Sequence, residues 1–341
     1  MSIPSRCCGV GRMSFSAPKA PSPIECGEAP MKFNGIRPDL VVVTGAGSGI
    51  GRAIATRFAR NGSHVIVADI DLAAAKETVA IAGDGATAEW LDVTDPDAWE
   101  TFAQRVRTEF GVPDVLVNNA GMLVGGAFLD LSPADWDKQL GVNLLGVVHG
   151  CRVFGRQMVD YGKRGQIVNI ASAAAFTPIP LGSAYAVSKA GVKMLTECLR
   201  LELGPKGIGV SAICPGVINT NIGEHAITVG VDPELVRRGK EFARMAQEFA
   251  ERLPFAPLSA ELVARAVERA VRFDLAVVPV RAEAWLGYFL GRIAPGVNRR
   301  IAQPFSVERF AWLAEAGLRL LDRQVGDRIA APDDSRVPIE P

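Results

Sequence analysis

Five short runs of branched apolar residues, Leu40–Thr44, His64–Asp69, Val115–Asn118, Gln166–Ile170 and Val210–Cys214, are each separated from the next by enough chain to hold a helix. Runs that stay apolar at consecutive positions suit parallel strands covered on both faces, because a strand with one wet face would alternate. Between them Gly51–Asn61, Asp97–Phe110, Pro133–Tyr161 and Ser183–Gly204 read as helices. Strand and helix in alternation make βαβ units with right-handed crossovers, so the fold class is α/β, a doubly wound parallel sheet. The 341 residues fit one such domain with extensions or two domains, and length alone does not choose.

The ends of the chain follow other rules. Residues 1–37 hold Pro4, Pro18, Pro21, Pro23 and Pro30 among serines and glycines without periodicity, and read as a disordered extension. Met31 offers an alternative start of translation, and the adjacent Cys7 and Cys8 offer acylation sites, although a dispensable tail is the plainer expectation. The main domain is expected over 38–280, a helical extension over 281–330 and a flexible tail over 331–341.

With 48% apolar and 22% charged residues, the chain has the material for a core. Its 37 basic and 37 acidic side chains leave no net field toward nucleic acid. The cysteines at 7, 8, 26, 151, 198 and 214 match neither zinc-site spacing nor a disulfide scaffold, which points to a reducing, cytoplasmic setting. No run approaches the ~18 apolar residues of a membrane span, and the first 30 residues lack a signal-peptide core. His64, His149 and His225 are scattered, so no metal site is expected.

The first strand runs straight into Thr44-Gly45-Ala46-Gly47-Ser48-Gly49-Ile50-Gly51, which opens a helix near Arg52. Glycines there let backbone approach a pyrophosphate, whose charge the free N–H groups and dipole of a helix start would favour, although such turns also serve ordinary connections. Asp69 ends the second strand 20 residues after Gly49, where a carboxylate accepts from ribose hydroxyls and repels a 2′-phosphate. The cofactor expected is therefore NAD, with NADP second and Arg52 the contrary signal. Asp92, followed by Val93, is read as ending a third strand and meeting the adenine edge, with helix capping as its alternative role.

Tyr185 and Lys189 stand i and i+4 on one predicted helix, phenol beside ammonium. A phenol of pKa about 10 exchanges protons poorly at neutral pH, and a nearby ammonium, joined by a positively charged oxidised nicotinamide, should lower that value. Ser172 follows a strand and so lies at the carboxyl edge of the sheet, where open α/β folds hold ligands.

Together with Asn118-Asn119-Ala120-Gly121, Asn143 and Pro215-Gly216-x-x-x-Thr220, these motifs closely resemble the short-chain dehydrogenase/reductase family, in its order and at its separations over 38 to about 225. The resemblance implies a Rossmann fold and an oxidoreductase acting on CH–OH groups. It implies Tyr185 as general acid/base, Lys189 as the residue that touches nicotinamide ribose and tunes the phenol, and Ser172 as the one that orients the substrate oxygen. Asn143 matches the residue that holds a water in a proton relay. Asn119, Ala120 and Gly121 would flank the cofactor, as would Pro215, Gly216, Ile218 and Thr220. Family practice also implies a homodimer or homotetramer formed through the helices at Pro133–Tyr161 and Ser183–Gly204.

Residues 217–257, with helical periodicity over Pro233–Leu253, read as a lid, with an ordinary core-facing helix as the alternative. Met122, Leu123, Phe176 and Ile179 are expected to wall the substrate, which points to a hydrophobic alcohol or carbonyl compound of steroid, terpenoid or acyl-lipid scale. Asp274–Val280 reads as the last strand, and Ala282–Ala294 as a helix with Trp285, Leu286, Phe289, Leu290 and Ile293 on one stripe. That stripe is expected to pack on the core or a second subunit, with a membrane surface as the alternative. The activity expected is NAD-dependent interconversion of a hydrophobic secondary alcohol and its ketone. The competing readings are an NADP-dependent carbonyl reductase, a dinucleotide-binding regulator with little catalysis, and a lyase or epimerase on the same fold.

Overall fold

The computed structural model describes residues 36–218, 226–230, 236–237 and 259–297. Among them, seven parallel strands form one sheet: β1 (Leu40–Thr44), β2 (His64–Asp69), β3 (Ala86–Trp90), β4 (Val115–Asn118), β6 (Gly165–Ile170), β7 (Ile208–Pro215) and β9 (Val277–Val280). Their order is β3-β2-β1-β4-β6-β7-β9, with every neighbouring pair parallel. The order turns back between β1 and β4, which opens a crevice outside their carboxyl ends. The strand ladder carries the alternation expected of a sheet buried on both sides: Val41 and Val43 of β1 enter one apolar cluster, Leu40 and Val42 the other.

One cluster seats α1 (Gly49–Arg60), α2 (Leu72–Ala82) and α7 (Ala260–Phe273), through Ile54, Phe58, Ala75, Val263 and Val267. The other seats α3 (Pro96–Glu109), α5 (Gly146–Asp160) and α6 (Ser183–Leu203), around the edge-to-face rings of Trp99, Phe102 and Phe154. Arg57 of α1 bridges Glu261 and Glu268 of α7 at 2.5 Å each, fixing the crossing of these two helices. No helix among the described residues is long and apolar enough to cross a membrane.

The structure departs from the sequence reading at five places. Helix α2 was not foreseen: it is alanine-rich, buries only Ala75 and Thr78, and is started by the Asp71 carboxylate accepting from the amides of Ala73 and Ala74. The third strand ends at Trp90 and not at Asp92, because pairing to β2 stops at the Leu91 N–H to Asp69 O bond and Asp92 then folds back onto the amide and hydroxyl of Thr94. The last strand starts at Val277, since Asp274 takes a left-handed conformation that ends α7 and is gripped by both arms of Arg200 at 2.8 Å. The helix read over Pro133–Tyr161 is α4 (Pro133–Leu140) and α5 joined by a widened π turn, Gly141–Leu145. Within the expected lid, residues 227–229 form a short strand, β8 (Ile227–Val229), which pairs with β5 (Val124–Gly126), while the described residues 236–237 are helical as read. The helix expected over 233–253 lies largely, and the N-terminal extension, Thr220, and residues beyond 297 lie wholly or nearly so, outside the described residues.

Candidate active site

The loop from β1 into α1 is shaped by what surrounds it. Gly45 has φ +58°, and a side chain there would stand 2.7 Å from the Ala120 Cα, so only glycine fits. Thr44 accepts through its hydroxyl from the amides of Asn119 and Ala120, while the Asn119 amide group donates to the carbonyls of Thr44 and Gly45 at 2.9 and 3.0 Å. The Gly47 amide donates to Asp69 at 2.8 Å. Ser48 makes no side-chain bond at the start of α1, so the first amides of that helix face the crevice without an internal cap. Arg52 is committed to the loop itself: its guanidinium donates to the Gly47 carbonyl and to Thr78, and pairs with Glu77 at 3.0 Å.

At the other end of the crevice, α6 presents Tyr185 and Lys189. The Lys189 ammonium is buried, donates to the Ile170 carbonyl at 2.9 Å and stands 5.8 Å from the centre of the Tyr185 ring. Burial lowers its pKa to about 8. Burial holds the Tyr185 phenol above its usual pKa, and the nearby Ser172 hydroxyl pulls it the other way by less. Without the nicotinamide's charge, enclosure penalises phenolate more than one hydrogen bond relieves it.

Asn143 sits in the π turn, fully buried, where it accepts from the Met122 amide at 2.9 Å and donates to the Met122 carbonyl and the Ser188 hydroxyl. Inserted turns of this kind re-aim one side chain of a helix. Gly121 lies between this asparagine and the lysine: a Cβ on it would stand 3.5 Å from both Asn143 Oδ1 and Lys189 Nζ.

One cleft of about 730 Å³ joins the two ends. Gly45, Ser48, Gly49, Ile50, Asp69, Asp92 and Val93 border it on one side, and Asn119, Ala120, Gly121, Ser172, Tyr185, Lys189, Pro215, Gly216 and Ile218 on the other. Gly51 is buried in the first turn of α1 behind the loop. Met122, Leu123 and Ile179 supply apolar wall as expected, whereas Phe176 turns aside and packs edge-on against Tyr288 of α8 (Ala282–Ile293), with centroids 5.3 Å apart. Two residues escaped the sequence reading. Gln139, fully buried, accepts from the Val124 amide at 2.7 Å and donates to the Met122 carbonyl, fixing the strand beside the site, and Lys138 borders the cleft. A buried glutamine inside an amphipathic helix leaves no trace in the pattern.

Comparison with known proteins agrees with this geometry. A probable oxidoreductase, EphD, of Mycobacterium tuberculosis is 46% identical over 273 residues, which is 77% of this chain and 44% of that protein, so this chain spans less than half of its relative's length. A 3beta-hydroxysteroid dehydrogenase 1 of Eggerthella lenta is 37% identical over 206 residues, 59% of this chain and 78% of that one. The crystal structure of a short chain dehydrogenase/reductase from Burkholderia phymatum in complex with NAD superposes with a TM-score of 0.63 at 31% identity, covering 77% of this chain and 94% of that one. Residues 39–228 match the family model described as short chain dehydrogenase, and the chain belongs to the short-chain dehydrogenase/reductase family of Rossmann-fold oxidoreductases.

Proposed function

We propose that this chain interconverts a hydrophobic secondary alcohol and its ketone, with NAD as the hydride partner and Tyr185 as general acid/base. The observation that carries the reading is a single continuous cleft with the glycine loop and Asp69 at one end and Ser172, Tyr185 and Lys189 at the other. A dinucleotide fits the residues present: the loop lacks the room for side chains, the start of α1 has no side-chain cap, and a ribose would meet the Asp69 carboxylate. When bound, the nicotinamide supplies hydride acceptance or donation, and the protein supplies position and proton transfer.

In the oxidation direction the substrate hydroxyl gives its proton to the Tyr185 oxygen, while Ser172 holds the substrate oxygen in place. Lys189, close to neutrality at about 8, is suited to hand a proton onward as well as to hold a charge. Asn143 Oδ1 and Lys189 Nζ both stand 3.5 Å from the place a Cβ on Gly121 would take, and would frame a bridging water there. NAD over NADP is supported by Asp69 and by the engagement of Arg52 with Glu77 and Gly47. An apolar substrate is supported by Met122, Leu123, Ile179 and Val217 in the wall and by the steroid dehydrogenase among the relatives. Val187, Met194 and Leu201 form an exposed stripe at seven-residue spacing on α6, in keeping with a homodimer or homotetramer built through that helix.

The test is NADH formation across a panel of secondary alcohols, from small polyols to sterols, for wild type and Tyr185→Phe. Turnover in the wild type that drops at least a thousandfold in the variant, with NADH affinity kept, is the expected result. Tight NADH binding with no turnover on any substrate would favour a dinucleotide-binding regulator and refute the enzyme.

A further inference from the structure

The chain leaves β9 through a residue in an unusual shape. Arg281 has φ 85° and ψ 161°, a region that glycine enters freely and other residues enter only where their surroundings hold them. Here the surroundings are the wall of the cleft. Just before Arg281, the Val280 carbonyl accepts from the Gly216 amide at 3.0 Å. Just after it, Oε1 of Glu283 pairs with the Arg281 Nε at 2.7 Å and accepts from the Val217 amide at 3.1 Å. Gly216 lies flat against that carboxylate, for a Cβ on it would come within 2.7 Å of the Glu283 Cδ.

The same helix reaches the opposite wall. Gly287 lets α8 approach the segment after Ser172, since a side chain there would stand 2.8 Å from the Thr177 hydroxyl, and Tyr288 packs its ring against Phe176. The segments on either side of the reactive end, 216–218 and 172–179, thereby both meet one helix, and Glu283 is the side chain of that helix that accepts from the Val217 amide.

We propose that α8 brackets the reactive end of the cleft and that Glu283 is the positioning residue of the bracket, fixing the Gly216–Ile218 wall against which the nicotinamide and the substrate carbon are aligned; this rests on the reading of the cleft given above. Glu283 does not border the cleft and takes no part in proton transfer. A carboxylate suits the place because one oxygen must serve both a cation and an amide. Glutamine keeps the acceptor for Val217 and loses the ion pair; alanine loses both and opens space beside Gly216.

The experiment compares wild type, Glu283→Ala and Glu283→Gln in the full chain by three readouts: amide exchange at Val217 without ligand, NADH affinity, and kcat and KM for the best alcohol of the panel. In Glu283→Ala, Val217 exchanges on the order of tenfold faster, as removal of a hydrogen bond to a charged group allows. KM for the alcohol rises by about as much, and kcat falls less. Glu283→Gln lies between the two in each readout, which a merely destabilising change would not produce, and it decides the matter alone if the alanine variant does not fold. Wild-type exchange at Val217 and wild-type constants in a folded Glu283→Ala protein would overturn the bracket. A wild-type protein that neither binds NADH nor oxidises any alcohol would overturn the reading of the cleft, a separate result from the exchange measurement.

Discussion

Replacing Lys189 by methionine should abolish turnover and make the protein more stable. The ammonium is buried, with the Ile170 carbonyl as its hydrogen-bond acceptor and a pKa lowered from 10.5 to about 8 by burial. Cys214 nearby supplies no countercharge at neutral pH, because burial pushes its thiol up to about 12. At ~1.4 kcal/mol per tenfold change in proton affinity, the lowered pKa means that holding the charged form inside costs folding roughly 3 kcal/mol at pH 7. Methionine fills a similar volume without that cost, but leaves the Ile170 carbonyl without its donor, a loss of about 1–2 kcal/mol. The net expectation is a gain of about 1–2 kcal/mol at pH 7.

The pH dependence gives the sign an independent check. Because the folded pKa lies below the unfolded one, the penalty is fully present below pH 8. Between about 8 and 10.5 the unfolded chain binds more protons, so wild-type stability rises with pH and the penalty fades; above 10.5 it is gone. The advantage of Lys189→Met should therefore shrink across that window and reverse at its top, where the wild type keeps a neutral amine bonded to Ile170. Urea denaturation of both proteins at pH 7 and at pH 10 measures this. A methionine variant less stable than wild type at pH 7, or a difference that does not change with pH, refutes the argument.

Asp69→Asn and Asp69→Ala separate two functions of one carboxylate, which accepts from the Gly47 amide at 2.8 Å as well as facing the cleft. The asparagine keeps an acceptor for the loop and removes the charge, so NADP affinity should rise about tenfold with only a modest loss for NAD, whereas alanine should lower NAD affinity about 10- to 100-fold; fluorescence titration with both nucleotides decides, and an unchanged preference in both variants rules Asp69 out as the discriminator. Gly150→Ala places a methyl 2.7 Å from the Trp99 ring and against the Asn118 side chain, all buried, so stability should fall by about 1–3 kcal/mol, read from the urea midpoint; a loss below about 0.5 kcal/mol would mean the helix can step aside.

The parts of the fold that were legible in sequence are those whose burial is decided locally. Leu40–Thr44, His64–Asp69 and Val115–Asn118 stand as read, because a parallel strand covered on both faces is apolar at consecutive interior positions and turns polar only at its ends. Helix α2 escaped because a helix that buries only an alanine and a threonine has no stripe to find, and β5 and β8, three residues each, are too short for any periodicity. Strand ends were blurred where a side chain from elsewhere decides the stop, as Arg200 does at Asp274, 74 residues away in sequence.

The site divides along the same line. Residues at strand ends and one helical turn apart, Ser172, Tyr185 and Lys189, are brought together by backbone geometry that the sequence pattern already states. The protonation tendency of Tyr185 is a different kind of quantity, since it depends on how completely distant segments enclose it, and in the protein by itself burial raises the phenol's pKa whatever the local spacing to Lys189. Glu283 is the extreme case. An acid in the first turn of a helix has an ordinary explanation in the helix dipole, and the stripe of Trp285, Leu286 and Phe289 beside it says nothing of a bond to the chain after β7. Its bond to Val217, 66 residues earlier, exists only once β7 and β9 lie side by side and deliver their following residues to the same place. Chemistry that a sheet places at its edge can be read from the strands one at a time; positioning that arises between two strands' exits requires the register that joins them.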